Sequence, residues 1–548
     1  MKRVAICRMG GRAHVRRPEK GKAMRTIKVL LLLTLLLPAT GCKRITALFN
    51  GGRGYSEKLI CHIDASTMEG KPVFSPDSRR IAYVAKVGEK RAVVVDGKEG
   101  KLYDEIGFTY FSIILDQMGT AQRGLSINRL QQRGESFHYG SEAPSVFSPD
   151  SQRVAYSAKV GEKWFAVVDG KEEESYDYIV DGPIFSPDSQ HVAYSAEVGE
   201  KWFVVVNRQE WWPFPVTGEP YDFFSGLLFS PDSQRMAHAV RVGKWAVVEK
   251  WAVVVDGKEE KLYDRIGEES LTFSPDSRRV AYVAQDGSKS LVVVDGKEEN
   301  TYDGIIRGES LFFSPDSRRI AYSGTVGWNP IVVVDGKMQK PYDAVGDPIF
   351  SPDSRQVAYL ALVGEMRVVV VNGKEGKPYS GARDPIFSPD SRRVAYVAQD
   401  GWKSFVVVDG KEEKSYDGIG NPIFSPDSQR VAYRARVGEK WFVVVDRKEG
   451  KHYDGVGDGT LVFSPDSHRV AYVAAITPGH FRIRNYFVPA SDETKWTAVV
   501  DGKEGKPYDG IPGSIVFDSV NQLHYLAQKN TAKDGKSYDI YLVGETLY

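Results

Sequence analysis

Two carboxylates recur along this chain. One is the Asp of Phe-Ser-Pro-Asp-Ser, a phrase that begins at Phe74, Phe147, Phe185, Phe229, Phe273, Phe313, Phe350, Phe387, Phe424 and Phe463. The other is the Asp of Val-Val-Val-Asp-Gly-Lys. Acids repeated in order could form an array of calcium sites. A calcium loop gathers several oxygen ligands within one turn, whereas each turn here supplies one Asp. Turn chemistry explains both: Asp and Ser side chains bond nearby backbone amides, and Asp-Gly closes a tight hairpin. No metal and no cofactor is expected.

Other reactive patterns are missing or have ordinary readings. There is no Gly-x-Ser-x-Gly nucleophile elbow and no His-Glu-x-x-His. The nine histidines are scattered. His191 and His468 fall in the turn before a strand, and His238 stands where other units have Tyr, so structural roles are expected for each. Asp534 to Ser537 reads Asp-Gly-Lys-Ser, like the end of a phosphate loop. Asn530 replaces the required Gly and no helix follows, so it is a hairpin turn.

Binding is carried better by loops that depart from the repeat. The stretch "NRQEWWPFPVTGEPYD" from Asn207 holds Trp211, Trp212 and Phe214. The stretch "AITPGHFRIRNYFVPASDETK" holds His480, Arg482, Arg484, Tyr486 and Phe487. Apolar rings on surface loops are costly to expose without a partner, and these eight residues are the candidate binding positions. "WAVVEK" followed by "WAVVVD" (Trp245, Trp251) reads as a slip duplication that makes a longer strand or a bulge.

The elements that position them come from the repeat. One unit, from Pro348, reads "PIFSPDSRQVAYLALVGEMRVVVVNGKEGKPYSGA". "PIF" is a short apolar strand and "SPDS" a turn. "QVAYLA" is β-branched and aromatic, a second strand. "RVVVV" is a third strand, buried on both faces because nothing polar alternates. "NGK" is a hairpin and "KPYS" a short fourth strand. The commonest spacing, Phe313 to Phe350 to Phe387 to Phe424, is 37 residues. Four antiparallel strands per period of this size predict an all-β chain built as β-propeller blades. A blade has two apolar faces and buries them only by stacking on both neighbours.

The repeat resembles the bacterial WD-like propeller repeat of the TolB type, whose motif is Ser-Pro-Asp-Gly followed by a basic, a β-branched and an aromatic residue. Here Ser75, Pro76, Asp77 and Ser78 are followed by Ile81 and Tyr83. The likeness spans nearly all of residues 70–548 and speaks for fold rather than function. Ser in place of Gly suggests that the turn needs no positive φ there.

The count of blades decides the architecture. A worn copy of the motif, "FDSVNQLHYLA", begins at Phe517. Phe74 and Phe147 stand 73 residues apart, nearly two periods. Phe111 and Tyr139 lie between them at about the right offsets, so residues 107–140 read as a twelfth, degenerate unit. About twelve four-stranded blades suit two six-bladed rings, over 55–309 and 310–548. One large ring of ten to twelve blades is the alternative. "YSEKLICHIDA" from Tyr55 reads as a closing strand for an unspecified blade.

The start of the chain gives an address. From Met24 it reads "MRTIKVLLLLTLLLPATGCKR": a basic zone, a short apolar zone, then small residues before Cys42. The apolar zone is shorter than the roughly 20 residues that span a bilayer and fits a secretory signal over 24–41. Ala39, Thr40 and Gly41 before Cys42 resemble the bacterial lipoprotein box. That resemblance implies a diacylglycerol thioether on Cys42, a linker over 42–54, and membrane attachment. Lys43, where Asp would favour inner-membrane retention, leans towards the outer membrane facing the periplasm. Residues 1–23 read as an upstream extension from a mis-assigned start. Cys61 is then left with no disulfide partner.

Of 548 residues, 42% are hydrophobic and 26% charged, with 73 Lys plus Arg against 72 Asp plus Glu. So balanced a chain gives no electrostatic case for nucleic acid. The expected function is a non-catalytic, lipid-anchored scaffold of the cell envelope that binds a protein or an envelope polymer. The alternatives are an envelope lyase or glycan hydrolase with a central-channel site, and a structural envelope protein without a ligand. The enzyme would need His or carboxylates converging on the innermost strands, which read "PIF", "LTF", "LVF" and "LFF".

Overall fold

The computed structural model describes residues 48–50, 53–107, 146–179, 182–199, 201–211, 221–242, 250–267, 270–305, 311–476, 494–532 and 536–548. These residues form eleven antiparallel sheets of four or five strands, and no helix longer than a single turn. In each sheet the strands form a meander, from an innermost strand to an outer one. Blades are numbered here in chain order: 1 (68–99), 2 (105–176), 3 (178–211), 4 (221–259), 5 (265–302), 6 (304–338), 7 (344–375), 8 (381–412), 9 (418–449) and 10 (455–508). Blade 11 takes three strands from 516–547 and its outer strand, Arg53–Asp64, from the start of the chain. Arg53–Asp64 pairs with Ser537–Leu547 from Arg53 opposite Leu547 to Asp64 opposite Ser537. The closing strand read from the sequence thus completes the last blade.

Each blade packs on the next around the whole circle, blade 11 returning to blade 1. The preferred partition into two six-bladed rings is therefore corrected to a single ring of eleven. The expected boundary at 309/310 falls inside blade 6, whose strands Gly304–Ile305 and Leu311–Phe313 both pair with Ile320–Val326. The twelfth blade is corrected too. Residues 108–145 lie outside the described residues, but their neighbours are informative. Glu105–Gly107 and Val146–Phe147 both pair with Val154–Val160, so they are two pieces of one innermost strand. Blade 1 also bonds blade 2 directly: the Asp77 amide donates to Ser151 Oγ at 3.0 Å. No blade stands between them.

Meander topology sorts the turns onto two faces. Ser-Pro-Asp-Ser turns and Asp-Gly-Lys hairpins share one, the turn face. Hairpins between strands two and three occupy the other, the tip face. In the Asp-Gly hairpins both central residues have positive φ, as in Asp96 (51°) and Gly97 (78°), which is the I′ turn that matches strand twist.

The last Ser of Ser-Pro-Asp-Ser also has positive φ, from 54° at Ser78 to 67° at Ser467. The expectation that this turn avoids positive φ is overturned. A left-handed Ser costs about 1–2 kcal/mol, and the hydroxyl offsets it. Ser391 Oγ accepts the amide of Asp353 from the preceding blade at 2.8 Å. Glycine could adopt the conformation but could not accept that bond.

The rest of the motif also ties blades together. Arg393 holds Asp409 of its own hairpin at 3.1 Å, while Nη1 donates to the Ser428 carbonyl of blade 9 at 3.1 Å. Its guanidinium lies 5.2 Å from the Phe424 ring centre. Midway through the joint, Tyr379 meets Tyr396 edge to face at 6.3 Å. At the outer rim Lys377 Nζ and Tyr379 OH donate to Glu412 at 2.6 and 3.0 Å. On the tip face Asp417 accepts the Gly438 amide of blade 9 at 2.7 Å. The repeated carboxylates thus serve as joints between blades.

Candidate functional site

Most of the sequence-derived positions fall where nothing is described. Cys42, Trp212, Phe214, His480, Arg482, Arg484, Tyr486 and Phe487 lie outside the described residues. Trp211 ends the outer strand of blade 3, with its backbone paired to Val204. Of the suspected duplication, Trp251 lies in the third strand of blade 4, Lys250–Val255, and Trp245 lies outside the described residues.

The histidines sit where the repeat places them. His191 bonds the Asn207 side chain at 2.7 Å, and the His468 carbonyl accepts from Arg430 at 2.8 Å. His238 is buried, and burial pushes its ring down to about 4, so it is neutral at physiological pH. Cys61 is a free, buried thiol pushed up to about 12 by burial and by Asp96 and Asp539, which suppresses thiolate chemistry. Among the described residues no group of three or more His, Cys, Asp or Glu could hold a metal ion.

A cavity of about 320 Å³ opens between blades 2 and 3, lined among others by Arg153, Lys171, Glu173 and Arg208. Both of its acids are engaged: Asp169 pairs with Arg153 at 2.9 Å, and Glu173 accepts from Tyr194 OH at 3.1 Å and Arg208 Nε at 3.2 Å. Glu413, Tyr433 and Arg447 repeat this arrangement between blades 8 and 9. It is a joint. Three carboxylates on or between innermost-strand segments are paired as well: Glu69 with Arg91 at 2.5 Å, Asp384 with Arg383 at 2.6 Å, and Asp458 with Arg434 at 2.6 Å.

The tip face differs. Trp328 of blade 6 is 98% exposed and Trp402 of blade 8 is 93% exposed. Each follows the left-handed Gly of its hairpin, Gly327 or Gly401. The same position holds Glu89, Glu162, Glu365 or Glu439 in other blades. At such exposure neither indole packs on its own chain. Met366 of blade 7 lies between them, partly exposed, and Val326 and Val363 are exposed beside them. These two tryptophans were missed by reading the sequence for long loops. The available signal was a Trp in a slot that otherwise takes Glu.

No protein-family model matches the chain, and no curated protein matches it. Solved structures resemble it as propellers. TolB from Acinetobacter baumannii is 17% identical over 47% of this chain and 77% of that one, with a TM-score of 0.23. The β-propeller domain of the Trilobed protease from Pyrococcus furiosus is 12% identical over 53% of this chain and 96% of that one, with a TM-score of 0.25. A eukaryotic initiation factor is 11% identical over 64% of this chain and 89% of that one, with a TM-score of 0.34.

Proposed function

We propose that this protein is a non-catalytic binding scaffold of the cell envelope, held through lipidated Cys42 to the outer membrane, the side that Lys43 favours. Its partner is a protein or an envelope polymer. One observation carries the reading: Trp328 and Trp402 stand 98% and 93% exposed on the tip face. An apolar side chain of that size contributes little to its own fold in water. It contributes strongly once a partner covers it, and Trp is enriched among the residues that dominate binding energy. The state of the repeated acids supports the same reading, since they are engaged in joints. The Trp211–Phe214 and His480–Phe487 segments are further candidate contacts.

The experiment is capture from a bacterial envelope fraction by the full chain and by Trp328→Ser/Trp402→Ser. The variant is expected to lose a partner that the parent retains, with an unchanged melting temperature. Equal capture by both proteins refutes the assignment of this face. Anchoring is tested apart from binding: a fatty-acid label should enter the chain and be absent from Cys42→Ala.

A further inference from the structure

We propose that the tip face is self-complementary. Two rings pair face to face through Trp328, Met366 and Trp402, about an in-plane two-fold axis that passes through blade 7. The inference rests on the reading of the tip face as a binding surface and names its occupant, a second copy of this chain.

The first argument is placement. Trp328 and Trp402 hold the same hairpin position in blades 6 and 8, one on each side of blade 7. A two-fold axis through blade 7 maps that blade onto itself and exchanges blades 6 and 8. Trp328 of one ring then meets Trp402 of the other, twice, and Met366 meets Met366. An isologous interface requires such a patch, one that is its own complement. Two tryptophans at unrelated positions would not provide it.

The second argument is charge. The tip of blade 7 carries an acid and a base, Glu365 and Arg367, both exposed. Two copies meeting there can pair opposite signs. The blade 6 tip, Val326 to Asn329, carries no charge. It faces the blade 8 tip, where Asp400 and Lys403 are one of each sign. Lys403 is already held by Asp417 at 2.5 Å. At these three tips no like charges are forced together. The same carboxylates argue against a bilayer as the occupant. Glu365 and Asp400 stand level with the indoles, and inserting the tips would desolvate them.

The third argument is size and order. A Trp side chain buries about 150–250 Å². Four of them with two methionines approach the roughly 1,000 Å² that a specific interface needs. Association should therefore be reversible, in the micromolar range. The Trp328 hairpin is held by the connection between blades 5 and 6, where Asp303 accepts the Gly327 amide at 2.5 Å. A tip ordered before contact loses less entropy on pairing.

The test is sedimentation equilibrium of the purified full chain in mild detergent, from low micromolar to near-millimolar concentration. The wild type should pass from monomer to dimer, and Trp328→Ser/Trp402→Ser should stay monomeric with an unchanged circular-dichroism melt. Trp328→Cys mixed with Trp402→Cys should give a disulfide-linked pair on oxidation, while Trp328→Cys alone should not. A wild-type monomer throughout overturns the proposal, as does a dimer that survives the double Ser variant. Efficient 328–328 linkage overturns the axis. A wild-type monomer whose indoles still capture an envelope partner sinks the inference and leaves the scaffold reading standing. A Trp-dependent dimer with no captured partner does the reverse.

Discussion

Nine joints in this ring, from blades 1/2 to 9/10, are variants of one another. The two that flank blade 11 are not. In each of the nine, an Asp amide donates to the next blade's left-handed Ser. Blade 11 carries the worn motif and closes with different chemistry. Arg53 Nη1 meets Glu545 at 2.8 Å, both buried, and Tyr525 OH donates to Glu545 at 2.7 Å. Glu57 takes Lys506 at 2.7 Å and Tyr508 at 2.5 Å, as Glu412 takes Lys377 and Tyr379 in a regular joint, and adds Lys529 at 2.9 Å. Towards blade 1, Arg79 pairs with Asp518 at 2.6 Å and His524 bridges Asp518 and the Asp77 carbonyl. The regular joints spread their bonds mostly over neutral or exposed groups, with Glu173 and Glu413 as buried carboxylates whose Arg partners are exposed. The seam adds an ion pair buried on both sides, Arg53 with Glu545. It is the one blade assembled from both ends of the described chain, so it must hold against the entropy of a long loop.

The largest expected effect follows from that buried pair. Glu545→Ala strands the Arg53 guanidinium in a dry site and should cost about 3–5 kcal/mol. Arg53→Met should cost less. Burial already holds the Glu545 carboxyl above its usual range, against the pull of Arg53 and Tyr525, so it can take a proton once Arg53 is gone. Hydrogen exchange is the readout: in Glu545→Ala, protection should fall first over residues 53–64 and 537–547. Uniform loss around the ring would show that the seam is no weaker than the other joints.

Acid should separate two joints next. For Glu57, burial alone would raise the carboxyl, but bonds from Lys506, Tyr508 and Lys529 prevail and hold it at about 2, against 4.5 unperturbed. A depressed carboxylate contributes stability that is full above about 4.5 and lost as pH falls towards 2, about 3 kcal/mol in all. His238 acts at higher pH. Burial lowers it from 6.5 to about 4, so the folded state favours the neutral ring. Its contribution is full above 6.5 and is lost as pH falls towards 4, by a similar amount. Acid unfolding watched by exchange should loosen blade 4 first and the seam second. His238→Tyr, the residue other blades use there, should remove the loss between 6.5 and 4. Glu57→Gln should remove the one between 4.5 and 2. Seam opening before blade 4 would reverse the assignment.

Strand phrases, hairpins and the closing strand were legible because each is local: β-branched runs, Asp-Gly pairs, and a strand-like segment, Tyr55 to Ala65, standing before the first repeat. The number of blades was not, because it depends on which blades touch. Phe111 and Tyr139 keep the period by spacing alone, while the bond from Asp77 to Ser151 joins blades 1 and 2 directly. Twelve became eleven on a contact between residues 74 apart. The two tryptophans were legible in kind, as departures from Glu at a tip, yet exposure cannot be read from one letter. Ser in place of Gly misled for the same reason, since its purpose lies in the preceding blade.

That last substitution gives the smallest and most discriminating effect. Ser391 sits at φ 64° and accepts the Asp353 amide at 2.8 Å. Ser391→Ala keeps the left-handed cost, about 1–2 kcal/mol, and loses the bond, leaving a partly buried amide without its acceptor. It should destabilise by roughly 1–2 kcal/mol. Ser391→Gly loses the same bond but releases the backbone strain, so it should fall within about 0.5 kcal/mol of wild type. Urea midpoints compare the pair, with exchange of the Asp353 amide as a local check. The amide should exchange faster in both variants, while the midpoint drops only in Ser391→Ala. Equal midpoints for Ala and Gly would mean that the turn stores no strain, and that Ser is retained for the bond alone. A lower midpoint for Gly would place the effect in the unfolded chain, where glycine's extra freedom outweighs the strain it relieves.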